Sequence, residues 1–144
     1  MRALQQFASK NGLADIITWH GQLPHTEVMK LFNNAHLHII TSISEGNPTT
    51  IWEAMCYGVP TLSLDHCGMH DTIDNESGIL IPIHTYKQCV EDIAIAIEDL
   101  LMHPEHFKRL SDGVVNKAAM YTWDKRCEFW NDIYRHVLNR RNKK

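Results

Sequence analysis

The sequence predicts an α/β fold: a parallel sheet flanked by helices, with a helical C-terminal segment. Three observations carry this. Between residues 15 and 81, short β-rich runs alternate with stretches of helical periodicity, and strands separated by helices pair in parallel through crossover connections. Beyond Pro82 the β-rich runs stop and three long helical stripes follow. The chain has 144 residues, 44% hydrophobic and 22% charged; that length suggests one domain and buries roughly 70% of its unfolded surface.

The elements follow in order. Leu4, Phe7 and Ala8 outline a short amphipathic helix, ended near Asn11-Gly12. Asp15 to Trp19 is a short β-rich run closed by His20-Gly21. Val28, Leu31, Phe32 and Ala35 follow helical spacing, so residues 25–34 predict a helix against a core. Leu37 to Thr41 is the next strand, Pro48 to Tyr57 a helix, and Pro60 to Leu64 and Gly78 to Ile81 two more strands. Val90, Ile93, Ala94, Ile97 and Leu101 mark a long helix. Pro104 suits the first turn of the next, where its missing N–H does no harm. Phe107, Leu110, Val114, Ala118 and Tyr121 form that helix's stripe. Thr122 caps a last helix, with Cys127, Trp130, Tyr134, Val137 and Leu138 expected inside. The basic tail, Arg140 to Lys144, reads as a solvated helix end, with contact to a membrane surface as the alternative.

Composition excludes several classes. A net charge of -3 argues against a duplex nucleic-acid binder. No apolar run reaches the roughly 20 residues of a membrane span, and the first residues lack the apolar core of a signal peptide. Cys56, Cys67, Cys89 and Cys127 form no CxxC pair and read as free buried thiols in a reducing cytoplasm. His66 and His70 lie four apart around Cys67, but Gly68 between them reads as loop, so no metal site is assigned.

Ligands of open parallel sheets sit beyond the carboxyl ends of the strands. The segment after Thr41 is therefore the one to read closely. Gly46 permits a tight or left-handed backbone at the strand exit, Asn47 is a good N-cap, and Pro48 fits the first helical position. The amides of residues 48–51 then point into the crevice, where a helix start favours a phosphate. Ile51, Ala54, Met55 and Gly58 share the packed face, and Glu53 lies nearly opposite, beside Thr49 and flanked by Thr50 and Tyr57. Glu45 and Glu53 flank the helix start. Carboxylates oppose a bare phosphate, so they fit as acceptors for hydroxyls, and a ligand with both groups is a nucleotide sugar. The plain alternative is that both are solvated surface residues.

Glu45-Gly46-Asn47-Pro48, then Glu53-Ala54-Met55 and Gly58-Val59-Pro60, resemble the E-x7-E signature of the retaining glycosyltransferases of the B-type, two-Rossmann-domain fold (glycosyl transferases group 1). Trp19-His20-Gly21, Cys67-Gly68 with Asp71 and Ile73, Ser77 to Pro82, and Tyr121-Thr122-Trp123 with Tyr134 resemble further elements of that family, in order over residues 13–138.

The resemblance implies a Rossmann-like parallel sheet. It implies that residues 1–144 are most of the C-terminal nucleotide-sugar-binding domain, with the N-terminal acceptor domain absent and the isolated chain inactive. It implies that Glu45 positions the donor sugar and that amides from Asn47 to Thr50, with Gly46 and Pro48 shaping their loop, hold the distal phosphate. Glu53 would accept from the ribose, and Gly21-Gln22 would lie near the base. No catalytic nucleophile, metal or cofactor is implied; a UDP-, GDP- or ADP-sugar is the donor substrate. The full-length enzyme would be cytoplasmic, with peripheral membrane contact as an option. Asn47 stands where the family often has an apolar or aromatic residue, and the Gly-Gly loop is reduced to Gly68. A non-catalytic sugar-nucleotide-binding or structural module is the alternative. A receiver-like domain ranks below both, because no acidic pair precedes Asp65.

Overall fold

The computed structural model describes residues 2–141 and divides into two compact units, residues 1–30 and 31–144. The first unit holds α1 (Arg2–Lys10) and a turn that the left-handed Gly12 closes. Residues 15–19 are turn and coil rather than a strand. A strand exists only by pairing, and residues 2–30 contain no second strand to pair with. α2 (His25–Phe32) leads into the second unit and buries none of its residues fully.

The second unit is a three-layer α/β/α arrangement. Its sheet comprises β1 (His38–Ile40), β2 (Thr61–Leu64) and β3 (Gly78–Ile81), in the order β1-β2-β3 and all parallel. His38 pairs with Thr61 and Thr61 with Gly78, which fixes the register. Side chains alternate across the sheet. Leu62, Leu64 and Ile81 face α5 (Tyr86–Met102), packing with Ile93, Ala96 and Ile97. Ile40 and Leu80 face the opposite core, built from Ile51 and Met55 of α3 (Thr49–Cys56), Met69 and Ile73, and Val114 of α6 (Pro104–Met120). α3 ends where Gly58 turns left-handed and the Gly58 and Val59 amides bond back to Met55 and Ala54.

α6 is seated by glycine and an ion pair. A β-carbon on Gly113 would lie 1.9 Å from the Glu76 carbonyl oxygen, so only glycine lets the helix approach the turn before β3. One turn on, the nearly buried Lys117 Nζ reaches Asp74 Oδ2 at 2.7 Å and Ser77 Oγ at 3.4 Å. Burial alone would push the Asp74 carboxyl up. The hydrogen bonds from Lys117 and Ser77, the Lys117 charge and the Glu76 amide outweigh that and hold it below the ordinary carboxylate value.

Further sequence expectations change in the second unit. The α5 stripe is rotated by one position: Cys89, Ile93, Ala96, Ile97 and Leu100 face inward, while Val90 and Leu101 are exposed. Cys67–Thr72 forms a further helix, α4, where the sequence reads as loop. Cys56, Cys67 and Cys127 are exposed free thiols rather than buried ones. α7 (Trp123–Arg141) carries its expected apolar stripe outside: Trp130, Tyr134, Val137 and Leu138 are exposed, because nothing else in residues 31–141 covers that face. The basic tail beyond Arg141 lies outside the described residues. Among the described residues no helix is long and apolar enough to cross a membrane.

Candidate functional site

The carboxyl edge of the sheet gathers two segments of the second unit: the loop from β1 to α3, and the turn from β2 into α4. They are joined backbone to backbone. The Gly68 amide donates to the Glu45 carbonyl at 2.8 Å. A β-carbon on Gly68 would lie 2.2 Å from the Gly46 oxygen and 2.9 Å from the Glu45 oxygen, so the two chain segments touch because residue 68 has no side chain. The preceding Cys67 adopts a left-handed φ of 47°, a conformation that glycine takes at less cost. Of the tight or left-handed backbone expected at Gly46, the left-handed form is not taken, and a β-carbon there would meet nothing within 4 Å; it contributes its carbonyl to the contact.

α3 begins one residue later than expected. Pro48 is the N-cap, and the Asn47 side chain does not cap the helix. Its carboxamide oxygen accepts instead from the Trp52 indole N–H at 3.0 Å, so the indole competes for the acceptor expected to cap. The Ile51 amide closes on the Pro48 carbonyl at 3.1 Å. The amides of Thr49 and Thr50 precede any intrahelical acceptor, and both residues are exposed at the crevice. The helix start therefore presents donors and a partial positive charge at the sheet edge.

Glu45 and Glu53 flank this start and are both half-buried. Glu53 is thus not a fully solvated outer-face residue, although Ile51, Ala54 and Met55 form the packed face as expected. Its charge reaches His38 on β1. Burial pushes the His38 imidazole below its ordinary value, and the Glu53 carboxylate pulls it back up. Beside the helix start opens a cavity of about 600 Å³, edged by Asn47, Thr49, Trp52, Tyr121, Trp123 and Arg126. The Trp52 and Tyr121 rings lie 5.0 Å apart.

Of the sequence-predicted residues, Glu45, Gly46, Asn47 and Pro48 lie in the loop from β1 to α3, Thr49 and Thr50 open α3, and Glu53 lies one turn further along that helix. Gly21 (left-handed, φ 65°) and Gln22 are exposed in the first unit. Sequence reasoning missed His38 and Trp52, whose partners are distant or lie across a helix turn. It also read residues 67–72 as loop because of Gly68. The His66/His70 pair is diverted: His70 Nδ1 pairs with Asp65 Oδ1, and that hydrogen bond raises its affinity for a proton. Among the described residues no three His, Cys, Asp or Glu side chains gather as a metal set.

A parallel sheet with α3 starting at its carboxyl edge is the arrangement of a Rossmann-like α/β domain, and similarity to known proteins narrows it to a family. The chain belongs to the glycosyl transferases group 1 family, whose profile matches residues 2–112. It is 26% identical over 136 residues to a D-inositol 3-phosphate glycosyltransferase of Streptomyces bingchenggensis, covering 94% of this chain and 29% of that one. A second such enzyme, from Thermobispora bispora, is 24% identical over 138 residues, 95% of this chain and 31% of that one. The chain thus spans less than a third of the length of these relatives. Its fold matches the pneumococcal O-GlcNAc transferase GtfA, solved in complex with UDP and GlcNAc (TM-score 0.78, 22% identity, 95% of this chain and 27% of that one).

Proposed function

We propose that this chain is the donor-binding part of a retaining glycosyltransferase, taking a UDP-, GDP- or ADP-sugar and passing its glycosyl group to a glycan, lipid or other acceptor held by a partner domain. One observation carries the reading: α3 starts at the carboxyl edge of a parallel sheet, with Glu45 in the loop before it and Glu53 one turn into it. The amides from Asn47 to Thr50 receive the distal phosphate, and the helix start stabilises the charge that builds on the diphosphate as the sugar departs. Glu45 accepts from the sugar hydroxyls and orients the ring. Glu53 accepts from the ribose. Gly21 and Gln22 are assigned to the base on the family resemblance alone. Charge neutralisation is assigned to amides and to cationic side chains, not to a metal. The pneumococcal transferase of similar fold was solved with UDP bound, which supports a nucleotide donor.

Calorimetric titration with UDP-, GDP- and ADP-sugars tests the reading. One of the three binds, and Glu53→Ala weakens that binding by about tenfold, the cost of roughly one charge-assisted hydrogen bond. Its melting temperature stays close to wild type. Unaltered binding in the variant removes Glu53 from the site.

A further inference from the structure

We propose that the cavity of about 600 Å³ beside the α3 start is a subsite for the acceptor, and that the ring it takes is a saccharide bearing an anionic group. The inference rests on the donor reading above for the reaction, and on the cavity's lining for the acceptor's chemistry. Thr49, Trp52 and Cys56 share one face of α3 and floor the cavity over about 10 Å, the rise of seven helical residues. Ala118 near the end of α6 and Tyr121, Trp123 and Arg126 at the corner into α7 form its far wall. The walls meet: the Trp52 and Tyr121 rings lie 5.0 Å apart with planes at 43°, and Trp52 and Ala118 pack against the same core. Asn47 and Thr49 belong both to the cavity and to the segment assigned to the distal phosphate. Retention without a protein nucleophile brings the acceptor hydroxyl in on the face that the phosphate leaves. The acceptor must therefore lie beside the phosphate, where this cavity opens.

The lining sets the ligand's chemistry. A pyranose has a face of C–H groups and a rim of hydroxyls. Aromatic rings pack on that face by dispersion and through their negative ring faces, while polar groups take the rim. Tyr121 and Trp123 offer such rings, 54% and 81% exposed. The Asn47 carboxamide oxygen is held by the Trp52 indole, so its amino group is the end left for a ligand. Among the described residues no carboxylate lines the cavity or pairs with Arg126. The neighbouring Lys125 is engaged: its Nζ donates to the Ala119 carbonyl near the end of α6 at 2.9 Å. Arg126 is then the cation left to the cavity. An unpaired guanidinium, a planar fork of donors, in an aromatic cavity without carboxylates selects a carboxylate or a phosphate. A uronate ring and a phosphorylated ring share that chemistry.

The test is an NMR titration of the 144-residue chain with methyl glucuronide, methyl glucoside 6-phosphate and neutral methyl glucoside. One or both anionic glycosides should bind about tenfold more tightly than the neutral one, as one charge-assisted hydrogen bond allows, and should shift the Trp123 indole N–H signal. Which of the two binds identifies the source of the charge. Arg126→Gln should bring the three glycosides to equal affinity. Tyr121→Ala should weaken all three by about threefold to tenfold. Tyr134→Ala, on α7 outside the cavity, should change nothing. These three side chains are exposed, so the variants should keep the wild-type amide spectrum. Equal wild-type affinities, no binding of any glycoside, a preference that survives Arg126→Gln, or an equal loss in Tyr134→Ala and Tyr121→Ala each overturns the proposal. UDP, GDP and ADP are then added to the glycoside-saturated chain. A nucleotide that binds alongside the glycoside supports the proposal; one that displaces the glycoside from Trp123 overturns it, since the two then share one place. Glycoside binding as expected with no response to any nucleotide instead overturns the donor reading.

Discussion

Replacing Gly68 by alanine tests how the candidate site is assembled. The added β-carbon would sit 2.2 Å from the Gly46 oxygen and 2.7 Å from its carbonyl carbon, both backbone atoms. One chain segment must retreat by about 1 Å to reach ordinary contact. That displacement breaks the 2.8 Å bond from the Gly68 amide to the Glu45 carbonyl. Overpacking a tight contact costs about 1–3 kcal/mol and the lost bond about 1 more, so the variant should be roughly 2–4 kcal/mol less stable. For a chain of this size the melting temperature should fall by roughly 6–15 °C. Circular dichroism melts measure this, and Gly46→Ala is the control, since its β-carbon would meet nothing within 4 Å. The variant should also bind a nucleotide sugar more weakly, because Glu45, assigned to the sugar, moves with its loop. A melting temperature for Gly68→Ala as close to wild type as that of the Gly46→Ala control would refute the account of how the two segments are joined.

Other expectations follow from the same structure. Cys67→Gly relieves a left-handed φ that costs a non-glycine residue about 1–2 kcal/mol, offset by glycine's larger chain entropy. Its melt should rise by a few degrees; a fall would show that the Cys67 side chain matters more than its backbone. Lys117→Met removes the partner of Asp74, whose carboxyl is held below its ordinary value of 3.8. A depressed carboxyl stabilises the fold above 3.8 and loses that effect as pH falls through the lowered value. The gap in urea midpoint between wild type and Lys117→Met should therefore narrow below about pH 4; a gap that widens there reverses the sign. The chain alone should release no sugar from a nucleotide sugar onto any acceptor, and measured turnover without a partner domain would contradict the donor-part reading.

Much of the second unit was legible in the sequence, and the reasons are physical. Gly78–Ile81 is a continuous apolar run stopped by Pro82, and Thr61–Leu64, opened by Pro60, is apolar or β-branched but for Ser63, close to the pattern of doubly covered parallel strands. Pro104 and Gly58 mark helix ends whose backbone geometry only a few residues suit. Glu45, Asn47 to Thr50 and Glu53 come together because they are close in sequence, so spacing alone gathers them. What failed depends on distant partners. Residues 15–19 have strand propensity but no strand beside them in their unit. The α5 stripe is ambiguous because apolar residues occupy Val90, Ala94 and Leu101 as well as the buried face, and only the sheet selects between them. α4 is six residues long and carries a glycine, so propensity argues against it; the Gly68 contact with the β1–α3 loop holds it in place. His38 escaped notice because its partners, Thr61 and Phe32, lie on other elements.

The bond from the Trp52 indole to Asn47 has a practical consequence. One of the chain's four tryptophans is anchored to the loop assigned to the phosphate, while Trp123 and Trp130 are exposed on α7. Indole emission shifts when its N–H partner or its solvation changes. Substituting Trp19, Trp123 and Trp130 by phenylalanine would leave Trp52 as a single optical reporter of that loop, readable without any label.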